Sequence, residues 1–242
     1  MMFRSILSAI GMTALIGIGG AQAAPVIFFG EDLAVGSTVG PNSNAARASF
    51  LGSLTGVGNQ DFESFASGTG TPINVSFPGS VGSISAALTS TGGVSVDSAP
   101  NAGRFATSGT NYLEVASGSA FTLTFGTAIS AFGFFGTDIG DFVPSNMVMT
   151  LTDINSVSTQ QVVGHSIGSG GNNNSLFWGF TDTTNSYTSI TFSNPGGGDI
   201  FGFDDFVIGD QQQIVAMTEP GMIAVFGLGL LGLGIARRKR RA

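Results

Sequence analysis

Large apolar residues return at every second position along several short stretches of this chain. Phe121-Thr-Leu123-Thr-Phe125 and Met147-Val-Met149-Thr-Leu151-Thr are the clearest, and a period of two marks a strand with one buried face. Val26 to Phe29, Asp61 to Phe65, Tyr187 to Phe192 and Ile200 to Ile208 read as further strands. From Ile73 onward such signals recur roughly every ten residues, parted by Gly, Asn, Pro and Ser. One helical period interrupts them: Ala46, Phe50 and Leu54 fall on one face of a helix over Ala45 to Leu54, entered through the turn Pro41-Asn42-Ser43-Asn44. The pattern predicts a mainly β chain, a single jelly-roll-like β-sandwich with one short N-terminal helix. The Gly- and Asn-rich stretch from Gly168 to Ser175 reads as a loop within it, because strand signals continue on both sides.

The two ends follow other rules. Arg4, the apolar stretch Ile6 to Gly20 and Ala21-Gln22-Ala23 before Ala24 have the order of a cleavable signal peptide over 1–23. At the other end, Thr218-Glu219-Pro220 precedes an uncharged run of 16 residues, 221–236, and then Arg237, Arg238, Lys239, Arg240 and Arg241. As a helix the run is about 24 Å long, close to a bilayer core of roughly 30 Å, and the basic cluster would stay cytoplasmic. This order resembles the PEP-CTERM sorting signal of Gram-negative bacteria, although Met217-Thr218 stands where the usual motif has Val-Pro. The resemblance implies a membrane transpeptidase of the exosortase type as partner, beside signal peptidase. It also implies a transient inner-membrane stage before release to the cell surface or outside. The expected organisation is therefore signal peptide 1–23, β-sandwich ectodomain 24–212, and sorting signal 213–242 with a C-terminal hydrophobic transmembrane helix at 221–236.

Charge separates the middle from the ends. Residues 24–218 hold fourteen acids, two arginines (Arg47 and Arg104) and no lysine, a net charge of about −12. A nucleic-acid partner needs a basic footprint, which is missing; divalent cations and neutral polymers suit this surface better. With no cysteine in the chain, disulfides, thiol nucleophiles and thiolate metal sites are excluded. Stability must come from the core, to which 21 phenylalanines supply most of the bulk.

Parts of the middle also resemble a recurrent PEP-CTERM ectodomain: Ala45 to Leu51 leading to Asp61-Phe62-Glu63, then Ala131 to Phe142, and Phe201 to Phe206. The pairing of Phe62-Glu63 with Asp204-Asp205-Phe206 is similar to carbohydrate-binding jelly rolls. In those, carboxylates of the first and last strands often share a structural calcium. The resemblance thus points to Glu63, Asp204 and Asp205 as calcium ligands. Asp138 and Asp141, which bracket the turn Ile139-Gly140, offer further carboxylates to a cation. Simple alternation places Asp205 on the face of Phe201, Phe203 and Val207, and Asp204 on that of Phe206 and Ile208, so one acid lies along an apolar face. Such an acid needs a partner. The competing reading has these acids capping turns and facing solvent.

Trp178, the only tryptophan, sits in Phe177-Trp178-Gly179-Phe180 and is either a sugar-stacking platform or a core residue. Gly164-His165-Ser166-Ile167-Gly168 matches a nucleophile elbow, but no helix-forming stretch follows it and His165 is the only histidine. Gly227 to Gly232 matches G-x-G-x-x-G inside the apolar tail, without a βαβ unit around it. The function expected is that of an exported, non-enzymatic surface or matrix protein associated with exopolysaccharide. The alternative is a secreted, calcium-stabilised carbohydrate-binding module, and a secreted hydrolase ranks behind both.

Overall fold

The computed structural model describes residues 24–215 except 117, 141–145, 168–172 and 194–199. Two antiparallel sheets face each other, and every strand pairing is antiparallel. The first sheet runs β1 (Val26–Asp32), β11 (Ser175–Thr181), β8 (Ala131–Thr137), β13 (Ile200–Gly209), β6 (Tyr112–Ala116) and β5 (Val94–Asp97), with the short β2 (Asn59–Gln60) also paired to β13. The second runs β10 (Ser158–Val163), β9 (Met147–Asp153), β12 (Tyr187–Ser193), β7 (Phe121–Ile129), β4 (Ser83–Ser90) and β3 (Ile73–Pro78). The expected sandwich is present.

Alternation puts one face of each strand of the second sheet inward, as in Phe121, Leu123 and Phe125 or Met147, Met149 and Leu151, all buried. Phe192 lies at the centre of the core. Its ring stacks on Phe121 at 4.4 Å and 7°, and meets Phe132, Phe134 and Phe203 edge-on at 5.8, 5.5 and 5.6 Å. Such aromatic pairs add to the area they bury.

The helix α1 (Pro41–Gly52) covers the outer face of the first sheet at β11 and β8, so those two strands are buried on both sides and read as nearly continuous apolar runs. Phe50 packs there on Phe28 and Phe177, at 5.6 and 5.5 Å between ring centres. Gly133 makes the close approach feasible, because a Cβ on it would meet Phe177 and Phe50 carbons at 2.8 Å. The helix begins four residues before its expected start. Pro41 opens it with a preset φ, and Asp32 at the end of β1 accepts the Asn42 and Ser43 N–H groups at 3.0 and 2.8 Å. Two donors at the open helix end are thereby satisfied by a side chain ten residues upstream. Burial works against ionised Asp32, but these N–H donors and the Ser43 hydroxyl outweigh it and hold its pKa below the usual value. Replacing Asp32 by alanine is expected to cost about 1–3 kcal/mol, read as a lower urea midpoint at unchanged slope. A loss under about 0.3 kcal/mol would mean that water caps the helix equally well.

Two expectations are corrected at this level. Asp61 to Phe65 is not a strand: pairing stops at Gln60, and Phe62 takes φ +59 in the turn that follows. The fold also loses its flanking membrane helix, because no helix among the described residues is long and apolar enough to cross a membrane. The transmembrane segment and the transient inner-membrane stage are withdrawn with it. The run 221–236, the motif Thr218, Glu219 and Pro220, the basic residues Arg237, Arg238, Lys239, Arg240 and Arg241, and the signal peptide 1–23 lie outside the described residues. Residues 213–215 belong to the sandwich: Gln213 is buried, its side chain accepts the Asp210 N–H, and Ile214 bridges to Leu54.

Candidate functional site: a polar cleft beside the helix

Strand β13 does not keep its alternation. Its pairing with β8 shifts between Asp204 and Val207, and Asp205 has φ +53, the signature of a bulge. Phe201 and Phe203 face the inter-sheet core, and so do Phe206 and Ile208, while Val207 packs beneath the helix. The extra residue resets the phase, so the apolar run stays inside and neither acid faces the core rings.

Both carboxylates instead hold the loop before β6. Asp204 Oδ2 accepts the N–H groups of Thr107 and Ser108 at 2.7 and 3.1 Å, and Asp204 Oδ1 accepts the Asp205 N–H at 2.7 Å. Asp205 Oδ1 accepts the Ser108 hydroxyl at 2.8 Å and the Asn59 side-chain amide. The Thr107 hydroxyl lies 3.0 Å from Asp204 and 2.9 Å from Asp205. One hydroxyl proton serves one short, linear bond well, so a proton held by the pair completes the second contact. Burial first, and then the neighbouring Asp205 carboxylate, push Asp204 up to about 8, against the pull of the backbone N–H donors.

The other proposed ligands sit elsewhere. Glu63 accepts the Thr110 and Asn111 N–H groups at 2.6 and 2.5 Å, donors that hold its pKa below the usual value. Asp138, at φ +62 beyond β8, lies 3.9 Å from the Arg104 guanidinium, which also pairs with Glu114 at 3.1 Å. Asp141 is outside the described residues. Among the described residues no three His, Cys, Asp or Glu side chains come together to hold a metal. The chemistry of the set does not fit calcium either, since the oxygens of Glu63, Asp204 and Asp205 are engaged by N–H and O–H donors of the 107–111 loop, by the Asp205 N–H and by the Asn59 amide. These acids tie loops, and Asp204 and Asp205 are buried while doing so.

Trp178 is 2% exposed and packs between Phe134 and Phe180, so it presents no face to a sugar. Ser166 lies in a loop, where its hydroxyl donates to Glu31 at 2.6 Å, and the ring of His165 fills the space over Gly140. No nucleophile elbow forms around them.

The bulge, the loop and the helix enclose a cleft of about 550 Å³. Phe135 lies buried beneath it, and the Arg47 guanidinium lies over that ring at 5.6 Å from its centre. Arg47 donates to Asn59 Oδ1 at 3.3 Å, and Asn59 in turn donates to Asp205, so one amide bridges the cation and the buried acid pair. Thr38, Asn44, Asp61, Thr107 and Ser108 complete the polar walls. Sequence reasoning passed over Arg47, Asn59, Thr107, Ser108 and Phe135. One signal was available: Arg47 is one of only two arginines in 24–218.

No protein-family model matches the chain, and no curated protein matches it. The expected sorting-signal family is therefore without support, and exosortase sorting is withdrawn as a property of this protein. Among solved structures, the chain is similar to the K2 cleaved adhesin domain of Lys-gingipain, at 12% identity and a TM-score of 0.41 over 63% of this chain and 98% of that one. It is also similar to the C-terminal family 22 carbohydrate-binding module of Clostridium thermocellum Xyn10B, at 11% identity and TM-score 0.35 over 67% and 98%. The CBM22-1 xylan-binding domain from Paenibacillus barcinonensis Xyn10C matches at 14% identity and TM-score 0.33 over 50% and 83%. Likenesses this distant carry nothing about a ligand.

Proposed function

We propose that this protein is an exported, non-catalytic carbohydrate-binding domain that holds a saccharide of an extracellular polymer in the cleft between α1 and the 106–108 loop. The observation that carries the reading is the composition of that cleft. Amide, hydroxyl and guanidinium groups line it, in a volume within the roughly 300–1,000 Å³ usual for small-ligand sites. Sugar rings carry an equatorial girdle of hydroxyls, which calls for several donors and acceptors held at fixed positions. Asn59 and Thr107 are already held by their neighbours, which lowers the entropy lost on binding.

A glycan array probed with the purified protein is expected to return a restricted set of polysaccharide ligands. Asn59→Ala should weaken the best of them about tenfold, the equivalent of one or two hydrogen bonds. An array without a ligand, or an Asn59→Ala protein that binds as tightly as the parent, would remove the saccharide from this cleft.

A further inference from the structure

We infer that the saccharide taken by this cleft carries a carboxylate, as in a uronic acid, and that Arg47 is the residue that selects it; this rests on the cleft being a saccharide site. The charge arithmetic makes Arg47 unusual. Residues 24–218 hold fourteen acids and two arginines, so an arginine here has every opportunity to find a carboxylate. Arg104 has taken it, lying between Glu114 and Asp138. Arg47 has not, although Asp61 and Asp205 line the same cleft: among the described residues it makes no ion pair.

Its donors are correspondingly idle. The single hydrogen bond of the guanidinium is the 3.3 Å contact to Asn59, and its Nε–H is buried without a partner. The buried Nε–H is out of a ligand's reach in this arrangement, which leaves the terminal Nη groups as the donors for one. The plane is also pre-set, because the group lies over the Phe135 ring. The paired Nη groups of a planar cation fit a carboxylate, which accepts two parallel N–H bonds, and the long 3.3 Å bond to Asn59 is the one contact to be shared.

The surrounding charges do not forbid this. Asp205 is engaged by Ser108, Thr107 and Asn59, and Asp61 accepts the Glu63 N–H at 3.1 Å. More distant acids are screened beyond about 8 Å at physiological ionic strength. The same acids limit how much negative charge can enter, which favours a polymer with carboxylates at single positions over a densely anionic one.

The test is a titration of the purified protein with oligosaccharides that each carry a single glucuronic, galacturonic, mannuronic or guluronic acid among neutral sugars. Each is run beside its carboxyl-reduced counterpart, in which the acid has become a primary alcohol. At least one acid form is expected to bind ten times or more tightly than its reduced form. Arg47→Met should bring that ratio to within about threefold of unity, and Arg47→Lys should keep part of it, because the charge remains and the fork is lost. Thermal unfolding of each variant separates a folding defect from a binding one. If neutral glycans bind and no acid form is preferred, the inference fails and the saccharide site stands. If nothing binds, acid or neutral, both fail. A ratio that persists in Arg47→Met assigns the carboxylate to another residue and overturns the role of Arg47.

Discussion

Truncation of Phe192 to alanine is expected to lower the unfolding free energy by about 3–5 kcal/mol, the cost of removing a fully enclosed aromatic ring. For a domain of this size that is a fall of roughly 6–20 °C in melting temperature. The ring is 1% exposed and touches Phe121 of its own sheet as well as Phe132, Phe134 and Phe203 of the facing one. Its removal opens a cavity between layers that the backbones of two sheets hold apart, so collapse around the hole is limited. Phe29→Ala is the matched control. Phe29 is 47% exposed on β1, at the edge of its sheet, and its loss should stay within about 0.5 kcal/mol. Equal losses at the two positions, measured by denaturant titration, would contradict the layered core described here.

Stability is expected to decline as pH rises from about 4 through about 8, and Asp204→Asn should flatten that decline. Asp204 keeps its proton to about 8 in the fold, against an ordinary value of 3.8. Between those values the folded state binds the extra proton, so ∂ΔG/∂pH is negative. The contribution is complete below the unfolded value and is lost as pH rises through the folded one. Its size is on the order of several kcal/mol. Asp32, Glu63 and Asp182 act in the opposite direction. Hydrogen bonds hold each below its ordinary value, so their contribution is present above the unfolded values and is lost as pH falls through the lower folded ones. Maximum stability therefore falls in the mildly acidic range between the two windows. The asparagine variant also mismatches one N–H donor of the loop, so it should be less stable than the parent at pH 5. Only the slope identifies the titrating group. A slope as steep in Asp204→Asn as in the parent would place it elsewhere.

How far the strands were legible depended on whether a face met solvent. Phe121 to Phe125 and Met147 to Thr152 were readable because their outward residues are Thr, Val and exposed backbone neighbours, so the period of two survives in the letters. Strands β8 and β11 are buried along their whole length, and Ala131 to Thr137 or Ser175 to Thr181 show no period at all. The helix was visible through Ala46 and Phe50, but its start was not, because its N–H groups are capped by Asp32 from another element.

By itself the sequence determined the class of this protein. Alternating apolar residues, small turn residues and one helical period are local properties, and they dictate a β-sandwich with one short helix. The same letters supplied the acidic middle and the scarcity of cations. Tertiary structure decided the roles. The bulge at Asp204-Asp205 sends both acids to one loop, where alternation had divided them between two faces. The packing of α1 on β8 places Arg47 over Phe135 and leaves the guanidinium without a carboxylate. A bulge and a helix crossing are set by contacts between residues far apart in the chain: Asp204 meets Thr107, and Arg47 meets Phe135. No period or propensity records such distances, so the cleft exists only once the two layers and the helix have packed.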